Sequence, residues 1–552
     1  MIDVLLINPP GYRGRPRRGP YELATLAANL LAAGFRGELV DLQYETGEGR
    51  IAFPDGFMAD ITSLLKARPA RVVLLTFRTT AGPWAHLIAR ECRRLYPEIA
   101  LVAFAPRIED RLRRFMRDDV TFDALCVSDP AETLLAAARA ARTSGRRGLR
   151  YVPGLLVRTD EGLVETDATP IPEIWPRQID SWISPDRSIA AIHVGRGCPD
   201  RCTFCAAHLG AGGQPRYQVP EEAARDAAIA FERLGSSAAG FVMLEAENLT
   251  SNPAWLDAFA AERRRLGVQF RWGAYGRIDH MDASMRRRLS DAGCCFLFIG
   301  IESGSANLQK VLGKHFDLSS VVPRITALHA AGIATQSSFI YGIPGETEDD
   351  LERTAHLMAE IAWAGGYVDW TPLRIEAGTT MERLTRDHKV TLMTNHELYV
   401  DLVKAGYDPR SVHPDIGYRM YGLDLPMLGS SVMASVSAWR TLLMQLPITT
   451  YVLAVGLALP VFQRLRQDAP SMEVSDLRRW AEIMVTEVAL RALPFVQELA
   501  EYETGAAANK AKRYNLDLVY PDLRRDPRRI AIAFDFPWWS PQSSIAPETT
   551  DA

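Results

Sequence analysis

The run Gly195-Arg-Gly-Cys198-Pro-Asp-Arg-Cys202-Thr-Phe-Cys205 sets three thiols on one short loop, directly after the apolar stretch Ser188 to Val194. Three thiolates in this spacing suit a 4Fe-4S cluster, each holding one iron and leaving the fourth iron open to a substrate or cofactor. A structural zinc site would instead want a fourth Cys or His at matching spacing. His208 is the only nearby candidate for that role, and no second Cys-x-x-Cys pair occurs in the chain.

The 552 residues, 47% hydrophobic and 24% charged, describe an ordinary globular chain with room for about three to four domains. A net charge of −4 gives no reason to expect a nucleic-acid partner. The basic runs Arg13 to Arg18 and Arg286 to Arg288 read as solvated faces. Outside the motif, Cys92, Cys126, Cys294 and Cys295 form no disulfide framework, which fits a reducing cytoplasm. The N-terminus carries an acid where a signal peptide has a basic region. The apolar stretch Ile448 to Phe462 is too short to span a bilayer, so no membrane association is expected.

Residues 1 to about 150 alternate β-branched runs, such as Val4 to Ile7, Arg71 to Leu75 and Ala100 to Phe104, with Ala/Leu/Arg-rich helical segments. This pattern predicts an α/β, doubly wound parallel sheet. Residues 151–187, rich in proline and polar residues, read as a linker. Strand-helix units then repeat over 188–382 and predict a partial (β/α)6 barrel with its sites at the carboxyl ends of the strands. Residues 383–552 read as a mostly helical domain covering the barrel mouth. Helices are expected around 439–467 and 474–506, with a strand at Ile530 to Phe534 and a disordered tail after Pro541.

Cys-x-x-x-Cys-x-x-Cys with an aromatic, Phe204, before its last cysteine resembles the signature of the radical S-adenosylmethionine (SAM) superfamily. Placed after a doubly wound domain, it resembles the cobalamin-dependent branch. The resemblance implies that Cys198, Cys202 and Cys205 bind a 4Fe-4S cluster whose open iron is chelated by SAM. Glu245 or Glu247, after the second barrel strand, would take the SAM amino group, or one of them would ligate the open iron. Arg277 would pair with the SAM carboxylate. The Gly300-Ile-Glu302-Ser303-Gly304 segment would line the SAM pocket, Ile340 and Gly342 would pack against the adenine, and Tyr275, Phe298, Tyr341 and Trp370 would line the substrate cavity. Catalytic roles are expected of Arg78, Glu245, Glu247 and Tyr341.

In the first domain, Asn8-Pro-Pro10 and Thr76-Phe-Arg78-Thr79 match cobalamin-facing loops, with Arg78 as a non-ligating cation beneath the corrin or as a surface arginine. Two departures stand out. The chain reads Phe104-Ala-Pro-Arg107 where relatives have a Gly-Gly pair, and Ser128-Asp-Pro-Ala-Glu132 where they have Gly-Glu-Gly-Glu. Either the domain binds cobalamin, or it is purely structural.

Together these residues imply an enzyme that moves a methyl group from SAM through methylcobalamin to a carbon of a small-molecule, amino-acid or peptide-derived substrate in natural-product or antibiotic biosynthesis. C-methylation of tryptophan is the specific expectation, with flavodoxin or ferredoxin as electron donor. A non-methylating radical SAM enzyme and a non-catalytic SAM or iron-sulfur sensor are the alternatives.

Overall fold

Two largely parallel sheets carry the chain, and each is built where sequence alternation expects it. The computed structural model describes residues 2–11, 21–77, 81–105, 110–128, 130–167, 189–209, 214–234, 241–376, 378–392, 394, 396–423 and 430–445, with isolated positions at 454, 464, 465, 479–481 and 484.

In the first sheet, β1 (Ile2–Asn8), β2 (Gly37–Asp41), β3 (Ala70–Thr76), β4 (Ala100–Phe104) and β5 (Ala124–Cys126) pair in parallel in the order β2-β1-β3-β4-β5. Their Val/Leu/Ile runs are nearly unbroken because helices bury both faces. Leu6 and Leu74 face Leu26 and Leu30 on one side. Ile7 and Leu75 face Phe57, Trp84 and Ile88 on the other. The chain reverses its direction of winding between β1 and β3, so the carboxyl ends at Asn8 and Thr76 flank the crevice where such sheets take ligands.

This sheet runs on past residue 150, where the sequence suggested a linker. β6 (Leu155–Thr159) and β7 (Gly162–Glu165) add an antiparallel hairpin to its edge. The Asp160-Glu161 turn between two short apolar runs is a hairpin signal, outweighed in the sequence by the prolines that follow.

The second sheet begins at β8 (Ile189–His193). A two-residue clip of β9 (Gly195–Arg196) and β10 (Arg216–Tyr217) closes the base of the cysteine loop. β11 (Phe241–Glu245), β12 (Trp272–Gly276), β13 (Cys294–Glu302), β14 (Ala334–Tyr341) and β15 (Tyr367–Pro372) follow in sequential order. All six long strands are parallel, the open six-stranded barrel expected. Alternation along the strands separates two faces. Val242, Leu244, Ala274, Ile299, Phe339 and Trp370 pack outward against helices. Phe241, Met243, Tyr275, Phe296 and Phe298 cluster on the inner face with no helical residue among them.

The described residues after 383 pack on both sheets. Leu398, Leu402, Ile416 and Met420 pack into the core of the first domain. Asp415 pairs with Arg114 there at 2.8 Å. The backbone passes so close that a Cβ on Gly82 would lie 2.5 Å from the Ile416 carbonyl. The helix Ser430–Gln445 packs instead on the barrel through Val436 and Trp439. Arg440 pairs with Asp369 at 2.9 Å. These described residues therefore tie the two sheets together. The expected helix 474–506, except at positions 479–481 and 484, and the strand at 530–534 lie outside the described residues. No helix among the described residues is long and apolar enough to cross a membrane.

Candidate cluster and SAM site

The cysteine loop is positioned by contacts that its own motif does not announce. Thr203 anchors its centre: its N–H donates to Leu312 O at 3.0 Å, its hydroxyl to Val311 O at 2.8 Å, and its carbonyl accepts from Met381 N–H at 2.8 Å. Ala206 N–H donates to Glu376 Oε2 at 2.8 Å, tying the loop to the end of the last barrel strand. Gly197, at φ +83°, makes the entry turn with Gln214 O close against it.

Around the thiols lies a polar network. Asp200 accepts from Asn248 Nδ2 at 2.8 Å and lies 3.4 Å from Cys198 Sγ. Asn248 in turn accepts from Thr250, whose hydroxyl is 3.0 Å from His280 Nδ1. Arg277 Nη1 approaches Cys202 Sγ at 3.6 Å, and Ala207 N–H approaches Cys205 Sγ at 3.4 Å. Burial pushes the Cys198 thiol up to about 12. It raises Cys202 as well, with Lys314 and Arg277 pulling the other way.

These residues fit a four-iron cluster. A cluster takes one thiolate per iron, and the guanidinium and backbone N–H directed at sulfur suit anionic thiolates.

The other expected residues divide into several groups. Glu245 ends β11 on the inner side of the sheet, partly exposed, and its carbonyl receives Val194 N–H at 3.0 Å, where the chain turns toward the cysteines. Glu247 lies within electrostatic reach of the Tyr217 hydroxyl, as do Cys198 and Asp200. Phe204 and Ile340 meet in one apolar cluster with Leu308, Leu312, Ile343 and Met381, beside the loop. Gly342, at φ +81°, turns the chain at the end of β14 with open space where a Cβ would stand.

In the Gly300 to Gly304 segment, expected to line the SAM pocket, the side chains are engaged within the protein. Glu302 takes the left-handed region at φ +75°, unusual for a residue with a side chain. Its carboxylate is 7% exposed and accepts from Lys314 Nζ at 2.8 Å, and the same ammonium donates to Gly300 O at 2.7 Å. A side chain at Gly300 would collide with this pair. Ser303 is fully buried, receives Ser305 N–H at 3.1 Å and sits 3.3 Å from Thr354 Oγ1. Gly304 lets the backbone approach Arg353 O, which a Cβ would meet at 2.5 Å. The segment is thus a packed strand end with an internal ion pair.

Arg277 likewise faces a partner the sequence reading did not assign. Burial alone would lower its pKa, but the fork it forms with Asp279, at 3.0 and 2.9 Å, outweighs this and raises it. The four aromatics expected to line one cavity are split by strand alternation. Tyr275 and Phe298 meet on the inner face at 5.3 Å. Tyr341 and Trp370 make an edge-to-face pair at 5.9 Å on the outer, helix-covered side, and burial raises the Tyr341 pKa. Glu346, just before the helix Glu348–Trp363, folds back toward the end of β14. Its Oε2 accepts from Gly342 N–H at 2.5 Å and Ile343 N–H at 3.2 Å, while Thr347 and Asp350 cap the helix.

Thr76 is buried at the end of β3, where the winding reverses. Arg78 and Thr79 lie outside the described residues, as do 106–109 and 129 in the two loops that depart from the family pattern. Sequence reading missed Asp200, Thr203, Asn248, Lys314 and Glu376. Only Thr203 and Asp200, inside the cysteine motif, carried any local signal.

Residues 192–358 match the model of the radical SAM superfamily. An uncharacterized methyltransferase of Pyrococcus horikoshii is 22% identical over 303 residues, covering 54% of this chain and 65% of that protein. The chain spans less than two thirds of the length of this and other curated relatives. Among solved structures, the radical SAM methyltransferase TsrM from Kitasatospora setae, with tryptophan substrate and a SAM analog bound, superposes with a TM-score of 0.58 at 18% identity, over 79% of this chain and 88% of that one. The cobalamin-dependent SAM radical enzyme OxsB, with aqua-cobalamin bound, gives 0.60 at 14% identity over 97% and 84%.

Proposed function

We propose that this chain, which carries a radical SAM domain over residues 192–358, is a cobalamin-dependent methyltransferase that moves a methyl group from SAM to a carbon of a small molecule, with tryptophan as the specific substrate. What carries the reading is the juxtaposition in one chain of a cysteine loop at the carboxyl edge of a six-stranded parallel sheet with a second sheet of order 2-1-3-4-5. That pairing is the fold shared with TsrM and OxsB. When bound, the cluster chelates and activates SAM, and cobalamin carries the methyl group.

The chain's own residues do the rest. Cys198, Cys202 and Cys205 hold the cluster. Glu245 or Glu247 takes the SAM ammonium or ligates the open iron. Arg277, held by Asp279, orients its guanidinium toward Cys202. Phe204 and Ile340 form an apolar wall beside the loop that excludes water. Thr76, at the end of β3, faces the crevice of the first sheet on the cobalamin side, and Arg78 and Thr79 are assigned to cobalamin from the sequence alone. The setting is natural-product biosynthesis in the cytoplasm, with a flavodoxin or ferredoxin as electron source.

The test is anaerobic expression with cobalamin, metal quantitation, and turnover of tryptophan with methyl-labelled SAM. About four irons and one cobalt per chain with a labelled product support the reading. Iron without cobalt makes the first domain structural. A second reading, a radical SAM enzyme with a non-methylating outcome, would consume SAM without labelling the product.

A further inference from the structure

The turn that follows β15 packs against the cysteine loop. Glu376 Oε2 accepts from Ala206 N–H at 2.8 Å, and further along the turn Met381 N–H donates to Thr203 O at 2.8 Å. Between these two ties the turn is braced from within. Thr379, fully buried, donates its hydroxyl to Glu376 O at 2.6 Å and caps the helix Thr380–Leu384 by accepting from Glu382 N–H at 3.1 Å. Glu382 in turn accepts from Gly378 N–H at 2.8 Å. A Cβ on Gly378 would stand 3.1 Å from Leu209 Cδ1, so the turn also backs the far end of the loop.

Glu376 thereby acts on the peptide that joins Cys205 to Ala206. The next peptide is held through its carbonyl, Ala206 O, which accepts from Leu209 N–H at 2.9 Å. The N–H of that same peptide, on Ala207, is directed at Cys205 Sγ at 3.4 Å. Fixing both peptide planes fixes the two backbone rotations of Ala206 between them, and with these the direction of the Ala207 donor.

We propose that Glu376 is a positioning residue for the cluster: by holding Ala206 it keeps the Ala207 N–H on the Cys205 sulfur, and so helps set the potential at which a bound cluster accepts an electron. An N–H···S bond strengthens as negative charge builds on sulfur, so it favours the reduced state and raises the potential. The carboxylate's own charge acts in the opposite sense, disfavouring the reduced state. The two contributions thus differ in sign and in what they need, because only the bond requires an oxygen at the right reach. This rests on the reading of Cys198, Cys202 and Cys205 as cluster ligands.

The experiment compares wild type with Glu376→Gln, Glu376→Asp and Glu376→Ala after anaerobic reconstitution. It reads iron content, the rate of iron loss to a chelator, and the midpoint potential in a spectroelectrochemical titration. Glutamine keeps the acceptor and removes the charge, so that variant should retain iron as wild type does, with a potential at or above it. Aspartate keeps the charge but is one methylene short, and alanine has neither. The aspartate variant should fall below wild type, and the alanine variant below the glutamine one, each by about tenfold in the reduction equilibrium, or ~59 mV for one electron. Both should also lose iron faster than Glu376→Gln. If neither holds iron while Glu376→Gln does, rescue by an uncharged acceptor supports the same role. Equal potentials for the alanine and glutamine variants, or an aspartate variant matching wild type, overturn the proposal, as does equal iron loss from the glutamine and alanine variants. A wild type that takes up no iron refutes the cluster reading as well, whereas the other failures leave that reading intact.

Discussion

Replacing Glu346 by glutamine should flatten the dependence of stability on pH. The carboxyl is 2% exposed, and its Oε1 has no hydrogen-bond partner among the described residues. Burial raises its pKa from 4.5 to about 8, against the two backbone N–H groups of Gly342 and Ile343 that favour the anion. The folded chain therefore keeps a proton that the unfolded chain has given up, and the sign follows from that difference. The contribution is fully present below about pH 4.5 and is lost as pH rises through about 8. At about 1.36 kcal/mol per unit, wild type should lose roughly 2 to 3 kcal/mol relative to Glu346→Gln between pH 5.5 and 7.5. Glutamine keeps an oxygen for the two N–H groups but cannot ionise, so comparing urea unfolding of the two proteins at each pH cancels every other titrating group. Parallel pH profiles would refute the reasoning and mean that water or a movement of the turn solvates the anion.

Alanine at Cys198, Cys202 or Cys205 should abolish bound iron and sulfide, measured after anaerobic reconstitution, while leaving the circular dichroism of the sheets intact. Lys314→Met strands the buried Glu302 carboxylate and should cost about 3 to 5 kcal/mol, with Glu302→Gln in the same chain recovering much of it in urea unfolding. Gly82→Ala drives a Cβ against the Ile416 carbonyl and should loosen the C-terminal segment from the first domain, seen as faster proteolysis between 396 and 420.

The two sheets were legible because their strands are runs of Val, Leu and Ile separated by helical segments, a local signal that burial on both faces enforces. The hairpin of β6 and β7 was not, since Leu155 to Glu165 is short and sits beside proline-rich sequence. The thiols were legible because cluster ligation fixes residue type and spacing together. Glu302 shows the limit of such reading. Its segment could be recognised, but its partner Lys314 is twelve residues on, beyond the helix Ala306–Val311, and nothing in the local pattern links the two.

The same limit governs what holds the cysteine loop still. A motif keeps its chemistry within a few residues because a cluster must be held by one rigid loop. The supports of that loop are under no such constraint: Thr203 is held by Val311, Leu312 and Met381, and Ala206 by Glu376, all far along the chain. Each support uses a hydroxyl, a backbone group or a lone carboxylate, types that recur throughout any sequence, so nothing local marks them as belonging to the thiols. The ligands are therefore legible in the sequence, and the frame that positions them becomes visible only in the fold.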